Sequence, residues 1–144
     1  IESYLPIVPR VRQWKDRKKV VSWPLFPSYV FSRFAPREVS QVLRVPGVVS
    51  VVRSNGELVA VSVEDLENVK RFAHALATQQ VQPELRPFIA EGQWVRVVGG
   101  PFEGVTGLVI ERRSRKRVLV GLKAIGQGLE VDIDTRSLVP ISGP

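Results

Sequence analysis

The chain has 144 residues, enough for one ordinary domain or two small ones, and carries 21 Lys and Arg against 14 Asp and Glu. The formal net charge of +7 favours polyanionic partners over neutral ones. Zero cysteines exclude disulfides and thiolate metal sites and agree with a cytoplasmic setting; no run reaches the roughly 18 apolar residues of a membrane helix, so no membrane partner is expected.

Residues 3–9 and 20–34 are apolar and β-rich, with the basic stretch Arg10-Val11-Arg12-Gln13-Trp14-Lys15-Asp16-Arg17-Lys18-Lys19 between them. That pattern predicts two strands joined by an exposed, charged hairpin. Pro24 and Pro27 interrupt the second run, which places a bend before a strand over Tyr29–Phe34. Pro36 suits a first helical turn, Val39, Val42 and Leu43 follow at helical spacing, and Pro46-Gly47 ends the segment. Val48–Arg53 reads as a strand that returns over Glu57–Val61 after an Asn55-Gly56 turn. Ser62 is the expected N-cap of the longest helix, with Glu64 and Asp65 in its first turn. Leu66, Val69, Ala73 and Leu76 give that helix one apolar face through Thr78, to pack on the preceding strands.

Periodicity fails from Gln79 to Glu91, where Pro83 and Pro87 stiffen a linker. Strands near 93–98, 105–112, 117–122 and 129–134 then follow too closely for an intervening helix and predict a small β-barrel. Its first turn is Gly99-Gly100-Pro101-Phe102-Glu103-Gly104, with Gly107 just beyond. A strand follows these glycines, not a helix with a Lys-Ser or Lys-Thr pair, so they shape a turn, with a bulge or a close approach at Gly107, and do not cradle a phosphate. The expected fold is α+β in two domains: an α/β sandwich over 1–79, a linker over 80–91 and a small β-barrel over 92–144.

Catalytic parts do not assemble. His74, the single histidine, lies on a helix beside alanines, and Glu130, Asp132 and Asp134 alternate along what reads as a solvated strand face. With no elbow-like serine the chain reads as a non-enzyme, with no metal and no cofactor. Two basic clusters remain. Arg10, Arg12, Lys15, Arg17, Lys18 and Lys19 surround Trp14, an arrangement suited to stacking a base while cations meet phosphates. Arg112-Arg113-Ser114-Arg115-Lys116-Arg117 surrounds a barrel hairpin tip, where a charged, soluble turn is the simpler reading. Phe26, Tyr29 and Phe31 form a third candidate: strand alternation puts Tyr29 and Phe31 on one face, either as core or as an apolar surface for a protein partner.

The chain resembles the NusG family of transcription elongation factors. Pro24-Leu25-Phe26-Pro27-Ser28-Tyr29-Val30-Phe31, followed by Val45-Pro46-Gly47-Val48-Val49, resembles the hallmark of that family's N-terminal (NGN) domain. Gly100-Pro101-Phe102-Glu103-Gly104-Val105-Thr106-Gly107 resembles the KOW motif of its C-terminal domain, which implies that the barrel over 92–144 is SH3-like. Trp14-Lys15-Asp16-Arg17-Lys18 looks closer to specialised antiterminators of the RfaH or UpxY type. The resemblance implies a monomer whose Phe26, Tyr29 and Phe31 hold the clamp helices of the largest RNA polymerase subunit and so suppress pausing. It also implies contacts to DNA or nascent RNA. Phe102 and Ile125 match the barrel positions that meet a small-subunit ribosomal protein or Rho. Ser28 stands where general factors have glycine, and Ile125 replaces an aromatic, which puts Rho in question. The family's first strand and helix have no counterpart here, so a truncated NGN domain is expected. The rival reading is a KOW-type RNA- or ribosome-binding protein without a polymerase role.

Overall fold

The structure is a computed structural model describing residues Ile1–Pro144. The N-terminal half begins with a short strand, β1 (Glu2–Tyr4), which pairs antiparallel with β4 (Phe31–Arg33). Between them, β2 (Ile7–Gln13) and β3 (Lys18–Pro24) form the expected hairpin, in register from Ile7↔Pro24 to Gln13↔Lys18. Leu5-Pro6 separates β1 from β2, so the run over 3–9 is two strands instead of one. After β4, a 3-10 turn at Pro36–Glu38 leads into α1 (Val39–Leu43).

Val48–Arg53 does not form the expected strand; only β5 (Arg53–Ser54) and β6 (Glu57–Leu58) pair around the Asn55-Gly56 turn. The apolar run 48–52 makes a single bond across the turn, from the Val59 N–H to the Val52 carbonyl at 3.0 Å, and no ladder beyond it; Val49 is 95% exposed. Backbone pairing, not propensity, decides whether such a run becomes a strand. The longest helix, α2 (Val63–Gln79), forms as read. Ser62 Oγ accepts a hydrogen bond from the Asp65 N–H at 3.0 Å, and Gln80 closes the helix in the left-handed region.

The C-terminal half is one six-stranded antiparallel sheet, in the order Leu138–Ile141, Trp94–Val97, Thr106–Arg112, Arg115–Leu122, Gln127–Asp132, Glu84–Pro87. Its strands are β7 (Glu84–Pro87), β8 (Trp94–Val97), β9 (Thr106–Arg112), β10 (Arg115–Leu122), β11 (Gln127–Asp132) and β12 (Leu138–Ile141). Curled upon itself, it makes the expected barrel. One correction concerns the stretch read as linker: Glu84–Pro87 is a strand, paired with β11 from Glu84↔Glu130 to Pro87↔Gln127. Pro83 and Pro87 bound it, and as the edge strand it needs a partner on one side only, which tolerates proline.

The two halves share a core. Val69, Phe72, Ala73 and Leu76 of α2 belong to the same buried cluster as Val8, Leu25 and Phe26 on one side and Val95, Val97, Val118 and Val120 of the barrel on the other. The helix is thus a common wall between the barrel and the N-terminal half, whose strands form three separate two-stranded pairs, β1–β4, β2–β3 and β5–β6, and not one sheet.

Candidate functional site

The proline-rich segment after β3 fixes the aromatic candidates. Tyr29 N–H bonds to the Phe26 carbonyl at 3.1 Å, closing a turn with Pro27 second and Ser28 third. Pro27 presets its own φ, and the third position demands a positive φ, which Ser28 supplies at 73°. The turn drops Phe26 into the core, fully buried, and leaves Tyr29 and Phe31 half-buried above it. Phe31 meets the Phe26 ring edge-on, with centroids 6.2 Å apart and planes at 83°. The structure therefore brings the three together, but Phe26 supports the surface from below. Val30, between the other two, is 61% exposed.

The basic hairpin stands clear of the body. Every residue from Val11 to Val20 is exposed, Trp14 among them, while Arg10 at the root is half-buried. Gln82 anchors that root: its Oε1 accepts from Arg10 Nε at 2.9 Å and its Nε2 donates to the Pro9 carbonyl at 2.8 Å. Arg10 and Arg12 lie over the Trp23 ring at 4.7 and 5.9 Å, and Lys19 lies 6.0 Å from the Trp14 ring. None of the nine ion pairs of the protein involves a residue of the hairpin. Its cations are unpaired.

The barrel cluster is the opposite case. Glu130, read from its alternation as solvated, is fully buried. Arg112 Nε donates to its Oε1 at 2.7 Å, Arg117 to its Oε2 at 3.1 Å, and Arg86 approaches Oε2 at 3.5 Å. Arg86 and Arg117 both also pair with Glu84, closing a ring of alternating charge across β7, β11 and β10. Long arginine side chains thus cover the carboxylate that strand position alone would expose. Asp132 takes Arg115 and Arg117 at 3.1 Å each, and Asp134 takes Arg136. The hydrogen bond from Arg117 holds the Glu84 carboxyl below the usual range. Burial alone would lower the Arg117 guanidinium, but its bond to Glu84 and the charges of Asp132, Glu84 and Glu130 outweigh that and raise it. Of this cluster only Arg113 and Lys116 lack a carboxylate partner. The signal was present in the sequence, as acids at 130 and 132 facing arginines at 112, 115 and 117, but only the strand register reveals it.

The glycine turn of the barrel docks on α2. Gly99, Gly100 and Gly104 have φ of 77°, 75° and 85°, as a tight turn requires. Phe102 is buried against Phe72, with centroids 5.8 Å apart, while Ile125 stays half-buried on the same core. The Arg71 side chain packs over Gly104, where an added Cβ would lie 3.1 Å from Arg71 Cδ. Asn68 bonds the backbone of Thr106 on both sides. Nothing in the sequence marked Asn68 or Phe72 as contacts, because helix periodicity shows that a face is buried and not what buries it. His74 is exposed, and no group of three or more His, Cys, Asp or Glu is arranged to hold a metal ion.

These features define a two-part α+β protein, with a half-buried aromatic pair and a cationic hairpin on one half and a glycine-turn barrel on the other. The family model described as "Transcription termination factor nusG" matches residues 1–70. The chain is 30% identical over 131 residues to the transcription termination/antitermination protein NusG of Thermus thermophilus, covering 85% of this chain and 71% of that protein. It is 29% identical over 127 residues to the protein of the same name from Treponema pallidum, covering 82% and 68%. The chain belongs to the NusG family.

Proposed function

We propose that this protein is a transcription elongation and antitermination factor that works by binding and not by catalysis. Residues 1–79 dock on RNA polymerase, at the clamp helices of its largest subunit. Residues 92–144 recruit a second factor, a small-subunit ribosomal protein or Rho. The observation that carries the reading is the Phe26–Tyr29 turn, which holds Tyr29 and Phe31 half-exposed over a buried Phe26. A pre-ordered aromatic pair on a buried support meets a partner at little entropic cost. A ligand that prefers the closed clamp shifts polymerase toward that state, which suppresses pausing.

The hairpin cations Arg10, Arg12, Lys15, Arg17, Lys18 and Lys19, with Trp14, supply the nucleic-acid contact, since none is neutralised within the protein. The barrel partner meets Phe102 and Ile125. Phe102 is covered by Phe72, so recruitment through it requires the barrel to part from α2. The hairpin sequence favours a specialised factor over a general one.

The test is co-purification with core RNA polymerase. Replacing Tyr29 and Phe31 together by alanine lowers retention at least tenfold while the variant keeps its circular dichroism. Undiminished retention by the folded variant overturns the docking role. Retention of the parent that falls steeply with salt would favour the rival, charge-driven RNA- or ribosome-binding reading.

A further inference from the structure

The hairpin β2–β3 is an ordered ribbon with no protein around its outer part, and that shape narrows its ligand. An isolated two-stranded ribbon is marginal in water. This one is mounted rigidly at its root by Gln82, yet presents ten consecutive exposed residues, Val11–Val20, beyond it. Register puts Arg10, Arg12 and Lys19 on one face and Lys18 on the other, with Lys15 and Arg17 in the turn. Cations therefore point to both sides of a convex arm.

We infer that this arm enters the major groove of double-stranded DNA, its cations gripping the phosphates of both groove walls. The inference deepens the nucleic-acid contact proposed above and rests on that reading. Single-strand sites are grooves that track one backbone and offer successive aromatic platforms. Here the surface is convex, and Trp23 is already covered by Arg10 and Arg12, which leaves Trp14 alone to stack. A two-stranded ribbon fits the roughly 12 Å major groove of B-form DNA, whereas the A-form groove of duplex RNA is too narrow to admit it. The second face accounts for an otherwise costly feature. Val11 and Val20 are directly opposed and each 66% exposed. They are short and apolar, suited to the groove floor and its thymine methyl groups, while the longer arginines reach outward to the rim.

The test needs no polymerase, so its failure and the failure of polymerase docking are separate results. Fluorescence anisotropy of the full chain is measured with a labelled duplex DNA, each of its single strands, and a duplex RNA of the same sequence. Duplex DNA binds at least tenfold tighter than the other three, and its affinity falls about 1,000-fold between 50 and 200 mM salt. The double variant Arg12→Ala, Lys19→Ala weakens duplex binding at least tenfold and flattens the logarithmic salt slope by about 1.8. Changing Val11 and Val20 to serine weakens it with the slope unchanged. Tighter binding to a single strand or to duplex RNA overturns the proposal, as does loss through Trp14→Ala with no loss through Arg12→Ala, Lys19→Ala. Tyr29→Ala leaves duplex binding as it is.

Discussion

Asn68 of α2 grips the barrel backbone at Thr106 from both sides. Its Nδ2 donates to the Thr106 carbonyl and its Oδ1 accepts from the Thr106 N–H, each at 2.8 Å. A side-chain amide here mimics a neighbouring strand, at the point where β9 leaves the glycine turn. Phe72 and Arg71, on the next helical turn, close over Phe102 and Gly104. One helix face thus reads one barrel turn.

Asn68→Ala removes both bonds and leaves two half-buried backbone groups to find water. The cost is about 1–2 kcal/mol, drawn from the docking of the barrel and not from the fold of either half. Hydrogen exchange at the Thr106 amide speeds up by an order of magnitude or more, while amides in β10 and β11 keep their protection. An unchanged Thr106 rate would mean that this contact does not hold the two halves together.

Ser28 occupies a backbone position that favours glycine, with φ of 73°. An L-residue there carries about 1–2 kcal/mol of strain, partly offset by the greater unfolded-state freedom of glycine. Ser28→Gly therefore stabilises the protein by about 0.5 kcal/mol, and Ser28→Val destabilises it by more than that. Thermal melts order the three as glycine, serine, valine from high to low; valine above serine would contradict the turn geometry.

Gly107 is required for a different reason. It has no positive φ, but a Cβ there would lie 2.6 Å from the Leu119 carbonyl oxygen and 2.8 Å from Val118 Cγ1. Gly107→Ala forces β9 away from β10 and costs about 1–3 kcal/mol in overpacking. At Gly100 nothing lies within 4 Å of an added Cβ, so Gly100→Ala carries only the strain of its φ of 75°. Urea unfolding of the two variants separates steric from conformational demand, with Gly107→Ala the weaker fold.

What the sequence disclosed follows from which interactions are local. The Asn55-Gly56 turn, the Ser62 cap and the apolar stripe of α2 are short-range features, and all formed as read. At Gly107 a glycine inside a strand pattern signals a bulge or a close approach, and the structure shows the close approach. Strand β7 was not, since its ladder partner β11 lies some forty residues on and prolines flank it. Val48–Val52 erred the other way, with strand propensity but only one backbone bond, at Val52, to a neighbouring segment. In the proline-rich segment the Phe26 and Phe31 rings meet, yet alternation could not show that Phe26 points inward. Glu130 was missed because burial of a charge depends on arginines from three strands arriving together.

Glu130→Ala tests that ion-pair ring. Breaking a fully buried pair costs roughly 3–5 kcal/mol. Arg86 and Arg112 are 41% and 49% exposed and water takes over their charge, so the loss falls mainly on Arg117, at 15%. A destabilisation of about 2 kcal/mol is expected, with β7 the first strand to lose exchange protection because Glu84 and Arg86 both depend on the ring. Equal loss across the whole sheet would show that β7 is held by its backbone ladder alone.

Asp134 supplies a pH-dependent counterpart on the exposed rim. Arg136 bonds its carboxylate through the guanidinium, at 2.7 Å from Nη2, and through its own backbone N–H at 2.9 Å. The guanidinium bond first, and the backbone bond second, pull the Asp134 pKa down from 3.8 to about 2. The folded value lies below the unfolded one, so this contribution is fully present above the unfolded value and is lost as pH falls from there through about 2. Carbon-detected NMR titration of the Asp134 carboxyl therefore gives a midpoint near 2, reached after ordinary aspartates have protonated. Arg136→Ala keeps the backbone donor and moves the midpoint only part of the way back toward 3.8. A midpoint unmoved by that substitution would assign the whole depression to the backbone N–H at the start of the 3-10 turn Thr135–Ser137.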